Sequence, residues 1–80
     1  MTKNSPRVRH RIGAHIAAVR NGLGLRQRDV ARRASITRPF LSLIENAQTD
    51  FTMTTLLAIA KAMRVPARGL FPFLLAMGGG

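Results

Sequence analysis

The sequence has no cysteine, only two histidines and only three acidic residues among its 80 positions. The absence of cysteine excludes disulfide bonds and thiolate metal sites. His10 and His15, together with Asp29, Glu45 and Asp50, are too few to build a metal shell or to pair a nucleophile with a base. We therefore predict a protein that is not an enzyme and that needs no metal or other cofactor.

The sequence also lacks any apolar run long enough to cross a membrane. Its longest apolar stretch, residues 70–77, is interrupted by Pro72 and is far shorter than the ~20 residues that a spanning helix needs. The basic start MTKNSPRVRHR is not followed by the apolar run of a signal peptide. These absences predict a cytoplasmic protein, and the lack of strand-like alternation favours an all-α fold.

The balance of charge is strongly basic. Thirteen Lys and Arg residues against three acids give a formal net charge of +10, which requires a polyanion or an acidic surface as partner. Nucleic acid is the leading interpretation and an anionic membrane surface the second. A charge that serves solubility alone is the third, although soluble surfaces usually mix both signs. The length suits one small domain, and 46% apolar residues are ordinary for its core.

The chain divides into three parts. Residues 1–10 are predicted to be a flexible basic arm, because Ser5 and Pro6 disfavour a helix and almost nothing there is apolar. The arm either lies along DNA phosphates or in the minor groove, or is a solvated terminus. Residues 11–77 form the predicted domain, and residues 78–80 are a glycine tail.

Apolar spacing predicts a compact bundle of about five helices within this domain. The first runs over residues 11–21 and the second over residues 27–34. The third begins after the N-cap Thr37, a fourth after Thr52 and a short fifth after Pro66. The residues expected to face the core are Ile12, Ile16, Val19, Leu23, Val30, Ala31, Ala34, Ile36, Leu41, Ile44, Met53, Leu56, Leu57, Ala60 and Met63.

The third helix has two distinct faces. Leu41 and Ile44 point toward the core, and a mostly polar face lies nearly opposite. The residues on that outward face that are suited to reading bases are Arg38, Pro39, Ser42, Leu43 and Asn46. Arginine bonds guanine bidentately, asparagine suits adenine, serine donates or accepts, and leucine contacts a thymine methyl. The alternative is an ordinary surface helix, because any amphipathic helix exposes polar groups.

The second helix begins with side chains suited to phosphate. Arg26, Gln27 and Arg28 lie beside the free amides of the helix start, and together they form a phosphate clamp. The full set predicted to contact phosphates is Arg26, Gln27, Arg28, Arg32 and Thr37. Arg33 is assigned instead to a surface pair with Asp29. A clamp on one helix and a base reader on the next are typical of a helix-turn-helix.

Residues 12–71 resemble the Cro/repressor (XRE-like) helix-turn-helix family of bacterial and phage regulators. The matching segments are IGAHIAAVRNGLGLRQRDVA, SITRPFLSLIEN and TMTTLLAIAKAMRVP. Gln27 and Ala31 match the family's glutamine and alanine at the first and fifth positions of the motif. The family's buried aliphatic positions are matched by Val30, Ile36, Leu41 and Ile44. The resemblance implies the lambda repressor-like DNA-binding fold, an all-α arrangement of about five helices.

The resemblance also implies a salt bridge between Arg20 and Glu45 that joins the first helix to the third. The helical wheel agrees, since it places Arg20 beside the core as a candidate for a partly buried ion pair. Three positions depart from the family pattern. Ser35 and Ala47 stand where glycine is usual, and Arg26 stands where a small capping residue is usual. None of these departures removes the outward face of the third helix.

Regulators of this family usually bind inverted repeats as two-fold dimers. The segment expected to form the dimer contact contains Leu70, Phe71, Phe73, Leu74 and Leu75; alternatively, it covers the first and fourth helices. We predict a sequence-specific transcription regulator, a homodimeric repressor or autoregulator that reads double-stranded DNA in the major groove and has no membrane partner. The alternative is an antitoxin or adaptor that mainly binds a protein partner, with DNA binding secondary.

Overall fold

The computed structural model describes residues 5–66, and this part of the chain contains four α-helices and no strand. They are α1 (Pro6–Gly22), α2 (Gln27–Arg33), α3 (Arg38–Glu45) and α4 (Met53–Ala62). α1 packs against α3, and α2 packs against both α3 and α4. The all-α fold class is confirmed, while the predicted fifth helix and the glycine tail lie outside the described residues.

The first helix begins earlier than the sequence predicted. Ser5 is its N-cap, and the Ser5 hydroxyl accepts a hydrogen bond from the amide of Val8 at 3.2 Å. Pro6 follows in the first turn, where the amide that proline lacks would have no helical partner. The Ser-Pro pair that was interpreted as disfavouring a helix is therefore a helix start. Residues 6–10 of the predicted flexible arm are helical, and residues 1–4 lie outside the described part.

The core is apolar and draws on all four helices. Its largest fully buried side chains are Ile12, Ile16, Val30, Leu41, Ile44 and Ile59. Burial of each such side chain contributes roughly 1.5–3 kcal/mol to folding. The inward residues predicted for α2 and α3 are buried, and so are Ile12 and Ile16 of α1. Leu23, predicted to extend the stripe of α1, is instead exposed just beyond the end of that helix.

The inward face of α4 agrees with the predicted one at Leu56, Ala60 and Met63 but differs from it at Met53 and Leu57. Met53 and Leu57 were expected in the core, but they are 57% and 48% exposed. The side chain of Ile59 occupies the centre of the buried face, next to Leu56 and Ala60. The face is set by the contact with α2. Helical spacing alone does not determine it, because α4 carries apolar residues on more than one side.

Three non-glycine residues of the described part are in the left-handed backbone conformation, and Arg64, which follows α4 with a φ of 58°, is one of them. Ser35 follows α2 with a φ of 58°, and Ala47 follows α3 with a φ of 60°. These are the two positions at which glycine is usual in the family pattern. Asn46 ends α3 with a φ of −98°, so Ala47 rather than Asn46 makes the left-handed exit. The exit is closed by hydrogen bonds from Ala47 N to Ile44 O at 3.1 Å and from Gln48 N to Leu43 O at 2.8 Å.

We expect Ala47→Gly to raise the free energy of unfolding by about 0.5–1 kcal/mol, because relief of left-handed strain exceeds the entropy that glycine adds to the unfolded chain. Thermal unfolding followed by circular dichroism measures this as a midpoint higher by about 4 °C. Ala14→Gly is the matched control, since Ala14 is exposed in the middle of α1. That variant should lose about 1 kcal/mol. A similar loss of unfolding free energy in Ala47→Gly would contradict our inference that the left-handed conformation strains Ala47.

Candidate nucleic-acid interface

α2 and α3 form a tight two-helix unit. The amide of Ile36 donates to the carbonyl of Ala31 at 2.9 Å, which closes the turn after α2. Thr37 is the N-cap of α3, and its hydroxyl accepts from the amide of Phe40 at 3.2 Å. Pro39 is tolerated because it lies in the first turn of the helix. These contacts fix the direction in which α3 leaves the turn.

The C-terminal end of α3 is fixed to α1 by a bidentate ion pair. Arg20 Nε donates to Glu45 Oε2 at 2.7 Å, and Arg20 Nη2 donates to Glu45 Oε1 at 3.0 Å. The third guanidinium nitrogen, Nη1, donates to the carbonyl of Leu25 at 2.9 Å, just before α2. The two side chains are only 12% and 5% exposed. The arrangement matches the pair that the family resemblance implied, and it joins α1, α3 and the start of α2.

Gly13 lies where α1 crosses the end of α3. A Cβ placed on Gly13 would approach the carbonyl oxygen of Glu45 to 2.8 Å and that of Ile44 more closely still. Both obstacles are backbone atoms, so no side-chain movement would make room. Gly13 is therefore required by the close approach of the two helices. Gly13 is not among the residues predicted from the sequence, although a glycine within a helical pattern is itself a signal of a packing constraint.

The outward face of α3 presents the side chains that were predicted to read bases. Arg38, Pro39, Leu43 and Asn46 are exposed, and Ser42 is half-buried. The Asn46 amide donates to the Ser42 carbonyl at 2.8 Å, which holds the side chain against the end of the helix. Arg38 Nη1 donates to Oε1 of Gln27 on α2 at 3.3 Å. The residues predicted to read bases thus lie on one face, and two of them are held by neighbouring groups.

An open cleft of about 610 Å³ lies beside this face. It is lined by Arg20, Asn21, Gly24, Leu25, Arg26, Gln27, Arg28 and Arg38. The arginines at positions 26, 28 and 38 are exposed. Glu45 pairs with Arg20, so its charge does not offset that of the exposed arginines. The surface therefore concentrates positive charge next to α3, which attracts a polyanion.

The remaining predicted phosphate contacts are spread along α2 and the turn. Arg32 is exposed in the last turn of α2, away from the cleft at its start. The hydroxyl of Thr37 is exposed but serves as the helix cap. Gln27 is half-buried, and its amide nitrogen donates to Glu45 Oε1 at 3.0 Å. Arg33 does not pair with Asp29 but donates to the carbonyl of Ala62 at 3.3 Å, which joins α2 to the end of α4.

The described part of the chain, residues 5–66, contains no group of three or more His, Cys, Asp or Glu side chains arranged to hold a metal ion. It also contains no helix that is both long enough and apolar enough to span a membrane. The predicted dimer contact, Leu70, Phe71, Phe73, Leu74 and Leu75, lies outside the described residues.

The capped turn, the buried contact between α2 and α3 and the basic outward face together define a helix-turn-helix DNA-binding domain. A helix-turn-helix family model matches residues 16–70, which is more than half of the chain. The chain belongs to this family, the Cro/C1-type (XRE-like) helix-turn-helix proteins. It is accordingly a DNA-binding transcription regulator.

Solved structures with the same fold include two restriction-modification controller proteins and a gene regulator. The controller protein C.AhdI from Aeromonas hydrophila is 24% identical, with a TM-score of 0.76 over 79% of this chain and 96% of that one. The wild-type controller protein C.Esp1396I is 25% identical, with a TM-score of 0.76 over 85% and 88%. The clp gene regulator ClgR from C. glutamicum is 20% identical, with a TM-score of 0.76 over 89% and 90%. A comparison with curated protein sequences finds no match.

Proposed function

We propose that this protein is a homodimeric repressor or autoregulator that binds inverted-repeat operator DNA, with α3 of each subunit in the major groove. The observation that carries the proposal is the position of the outward face of α3 beside a cleft lined by arginines. With its side chains, an α-helix such as α3 is about 10–12 Å in diameter. It therefore fits the major groove, which is about 12 Å wide.

Different side chains are suited to different parts of DNA recognition. Arg38, Leu43 and Asn46 are exposed on α3 and have the chemistry to contact base edges. Arg26 and Arg28 are exposed at the start of α2 and are placed to bind phosphates on the flanking backbone. Phosphate contacts supply affinity and position, whereas contacts to bases supply specificity. The proposed dimer would place two such surfaces on successive turns of DNA.

Selection of bound sequences from a random DNA pool tests the proposal as a whole. The expected result is a two-fold symmetric site whose half-sites lie about one helical turn, or 10–11 base pairs, apart. A gel shift with the selected site should show one complex that contains two protein chains. Enrichment of no sequence, or of a single asymmetric half-site bound by one chain, would reject the dimeric operator-binding function.

Arg38→Ala should weaken binding to the selected site by roughly 1–3 kcal/mol and relax the preference at one base pair. Arg28→Ala, a matched change of an exposed arginine in the same cleft, should weaken binding about equally on all sequences and lower the salt slope by about 1. Binding titrations at several salt concentrations on specific and random DNA measure both effects. Equal losses by Arg38→Ala on the two DNAs would show that Arg38 is only a phosphate contact.

A further inference from the structure

A second open groove, of about 360 Å³, lies between the loop that joins α1 to α2 and the end of α4. We call it the α4 groove, and it is lined by Leu23, Leu25, Arg33, Met63, Arg64 and Val65. No residue of α3 lines it, and Leu25 is the one residue that it shares with the cleft beside α3. The function proposed above makes no use of this groove.

The α4 groove has apolar walls that the backbone holds in place. Met63 is buried, Leu25 and Val65 are half-buried, and Leu23 is 50% exposed. The amide of Leu25 donates to the carbonyl of Arg20 at 3.0 Å, and the amide of Val65 donates to the carbonyl of Ala60 at 3.1 Å. The groove therefore offers a fixed apolar surface, and an apolar side chain that covered Leu23 would remove it from water.

Two arginines without an acidic partner line the same groove. Arg33 and Arg64 are exposed, and neither forms an ion pair within residues 5–66. Arg33 Nη1 donates to the carbonyl of Ala62 at 3.3 Å, which holds the guanidinium at the groove and leaves its other nitrogens free to donate. A guanidinium binds a carboxylate by two parallel hydrogen bonds. The groove thus combines an apolar surface with sites for carboxylates.

The backbone of Arg64 gives an independent indication that this side chain has a role outside the fold. Its φ of 58° is left-handed, a conformation that glycine adopts without the steric cost that arginine incurs. The amide of Arg64 donates to the carbonyl of Lys61 at 3.0 Å, a backbone contact that glycine would also make. An arginine in this turn therefore adds nothing to the fold, and strained residues of this kind cluster at binding sites.

Charge complementarity decides between the possible occupants of the groove. Residues 1–4 and 67–80 contain no Asp or Glu, so they do not supply a carboxylate side chain. A second copy of the described part offers little more, because Glu45 and Asp50 are already in ion pairs and only Asp29 remains. DNA phosphates would suit the arginines but would leave the exposed Leu23 uncovered. An acidic segment that also carries apolar side chains satisfies both parts of the groove.

We propose that the α4 groove binds a short acidic segment of a different protein. A large apolar side chain of that segment covers Leu23 and Met63, and carboxylates on either side of it bind Arg33 and Arg64. The surface is small, so the complex is a weak, transient one. Because Leu25 lines both the groove and the cleft beside α3, the bound partner lies next to the face that we propose binds DNA.

The first test titrates the free, full-length protein with a synthetic peptide in which leucines are flanked by glutamates. Amide chemical shifts measured by NMR should change at Leu23, Arg64 and Val65. A peptide of equal charge with serines in place of the leucines should bind about tenfold more weakly, since it buries no large apolar side chain. Equal affinities of the two peptides, or shift changes concentrated at Arg26 and Arg28, would show only attraction to a basic surface and would overturn the proposal.

The second test changes the groove itself. Arg64→Gly should weaken binding of the leucine peptide about tenfold, because it removes a charge-assisted hydrogen bond. This variant keeps its fold, since glycine readily adopts the φ of Arg64. Leu23→Ala should weaken binding severalfold by removing apolar contact area.

The matched controls lie outside the groove. Lys61→Ala removes a neighbouring exposed cation, and Leu57→Ala truncates a leucine that is 48% exposed on α4. Neither change should alter the affinity for the peptide. An unchanged affinity in Arg64→Gly, or an equal loss in Lys61→Ala, would contradict a specific site at the groove.

Binding to DNA distinguishes a protein site from a further phosphate contact. Arg64→Gly should bind double-stranded DNA with the affinity and salt dependence of the unchanged protein. If this variant instead lowered the salt slope by about 1 and the peptide did not bind, the groove would be part of the DNA contact and the proposal would be overturned. A protein that bound the peptide at the groove but no operator DNA would reject the proposed function and leave the docking site intact.

Discussion

Gly13→Ala is expected to lower the free energy of unfolding by about 3 kcal/mol, the upper part of the range for inserting an atom into a packed interior. The added Cβ would lie 2.8 Å from the carbonyl oxygen of Glu45 and closer still to that of Ile44. Since both atoms belong to the backbone, the strain is relieved only if α1 moves away from α3. That movement would loosen the packing of Ile12 and Ile16.

Chemical denaturation of Gly13→Ala measures the loss, and Gly22→Ala provides a control in the same helix. A Cβ on Gly22 would meet nothing within 4 Å. The control should therefore be neutral, or more stable by about 0.5–1 kcal/mol, because alanine favours a helix over glycine. Equal stabilities of the two variants would mean that α1 and α3 do not approach as closely as the structure indicates.

The same crossing explains why the candidate site is rigid at one end. Gly13 allows the backbones to meet, and the adjacent Arg20–Glu45 pair holds them there. α3 is capped at its other end by Thr37. The face that we propose reads bases is thus presented by a short helix that is fixed at both ends, which suits recognition of base edges better than a mobile segment.

Much of the helix-turn-helix was predictable because its signals are local. The inward pair Leu41 and Ile44 defines the buried side of α3, and Thr37 is a recognisable N-cap. Local signals were weaker at the start of α1. Ser5 followed by Pro6 is compatible with a turn and with a capped helix, and the apolar residues that would favour the helix come mainly later in the chain.

Part of the face of α4 was predicted wrongly because two apolar stripes overlap on it. Met53, Leu56, Leu57, Ala60 and Met63 satisfy helical spacing, and Leu56, Ile59, Ala60 and Met63 satisfy it equally well. Packing against α2 selects the second stripe and leaves Met53 and Leu57 exposed. The spacing of apolar residues within one helix does not indicate where the neighbouring helix lies. Which stripe of α4 is buried therefore depends on tertiary structure.

The polar contacts of the site depend on tertiary structure even more. Gln27 meets Glu45 and Arg38, which are 18 and 11 residues away. The sequence places Gln27 at the start of α2 beside two arginines, and this position favours a phosphate contact. Only the folded chain brings the Glu45 carboxylate within reach of its amide. The Arg20–Glu45 pair, which is also long-range, was expected because the resemblance to the family implied a salt bridge between these two positions.

Glu45→Gln should destabilise the protein by about 3–5 kcal/mol, because removal of one charge from a buried pair leaves the other uncompensated. Arg20 is 12% exposed, so little water replaces the lost carboxylate. Replacement of both residues, Arg20→Met with Glu45→Leu, should restore much of the stability, since an apolar pair has no charge to desolvate. Unfolding by urea compares the three proteins.

The more exposed Arg9–Asp50 pair is the control for the effect of burial on the stability that is lost when an ion pair is broken. Its nitrogen and oxygen are 3.3 Å apart, and the side chains are 26% and 39% exposed. Asp50→Asn should therefore cost less than about 1 kcal/mol, as is usual for pairs screened by solvent. If Glu45→Gln cost no more than Asp50→Asn, the Arg20–Glu45 pair would not be what fixes α3 to α1. The attachment of α3 to α1 would then depend on the apolar contacts and on the close approach at Gly13.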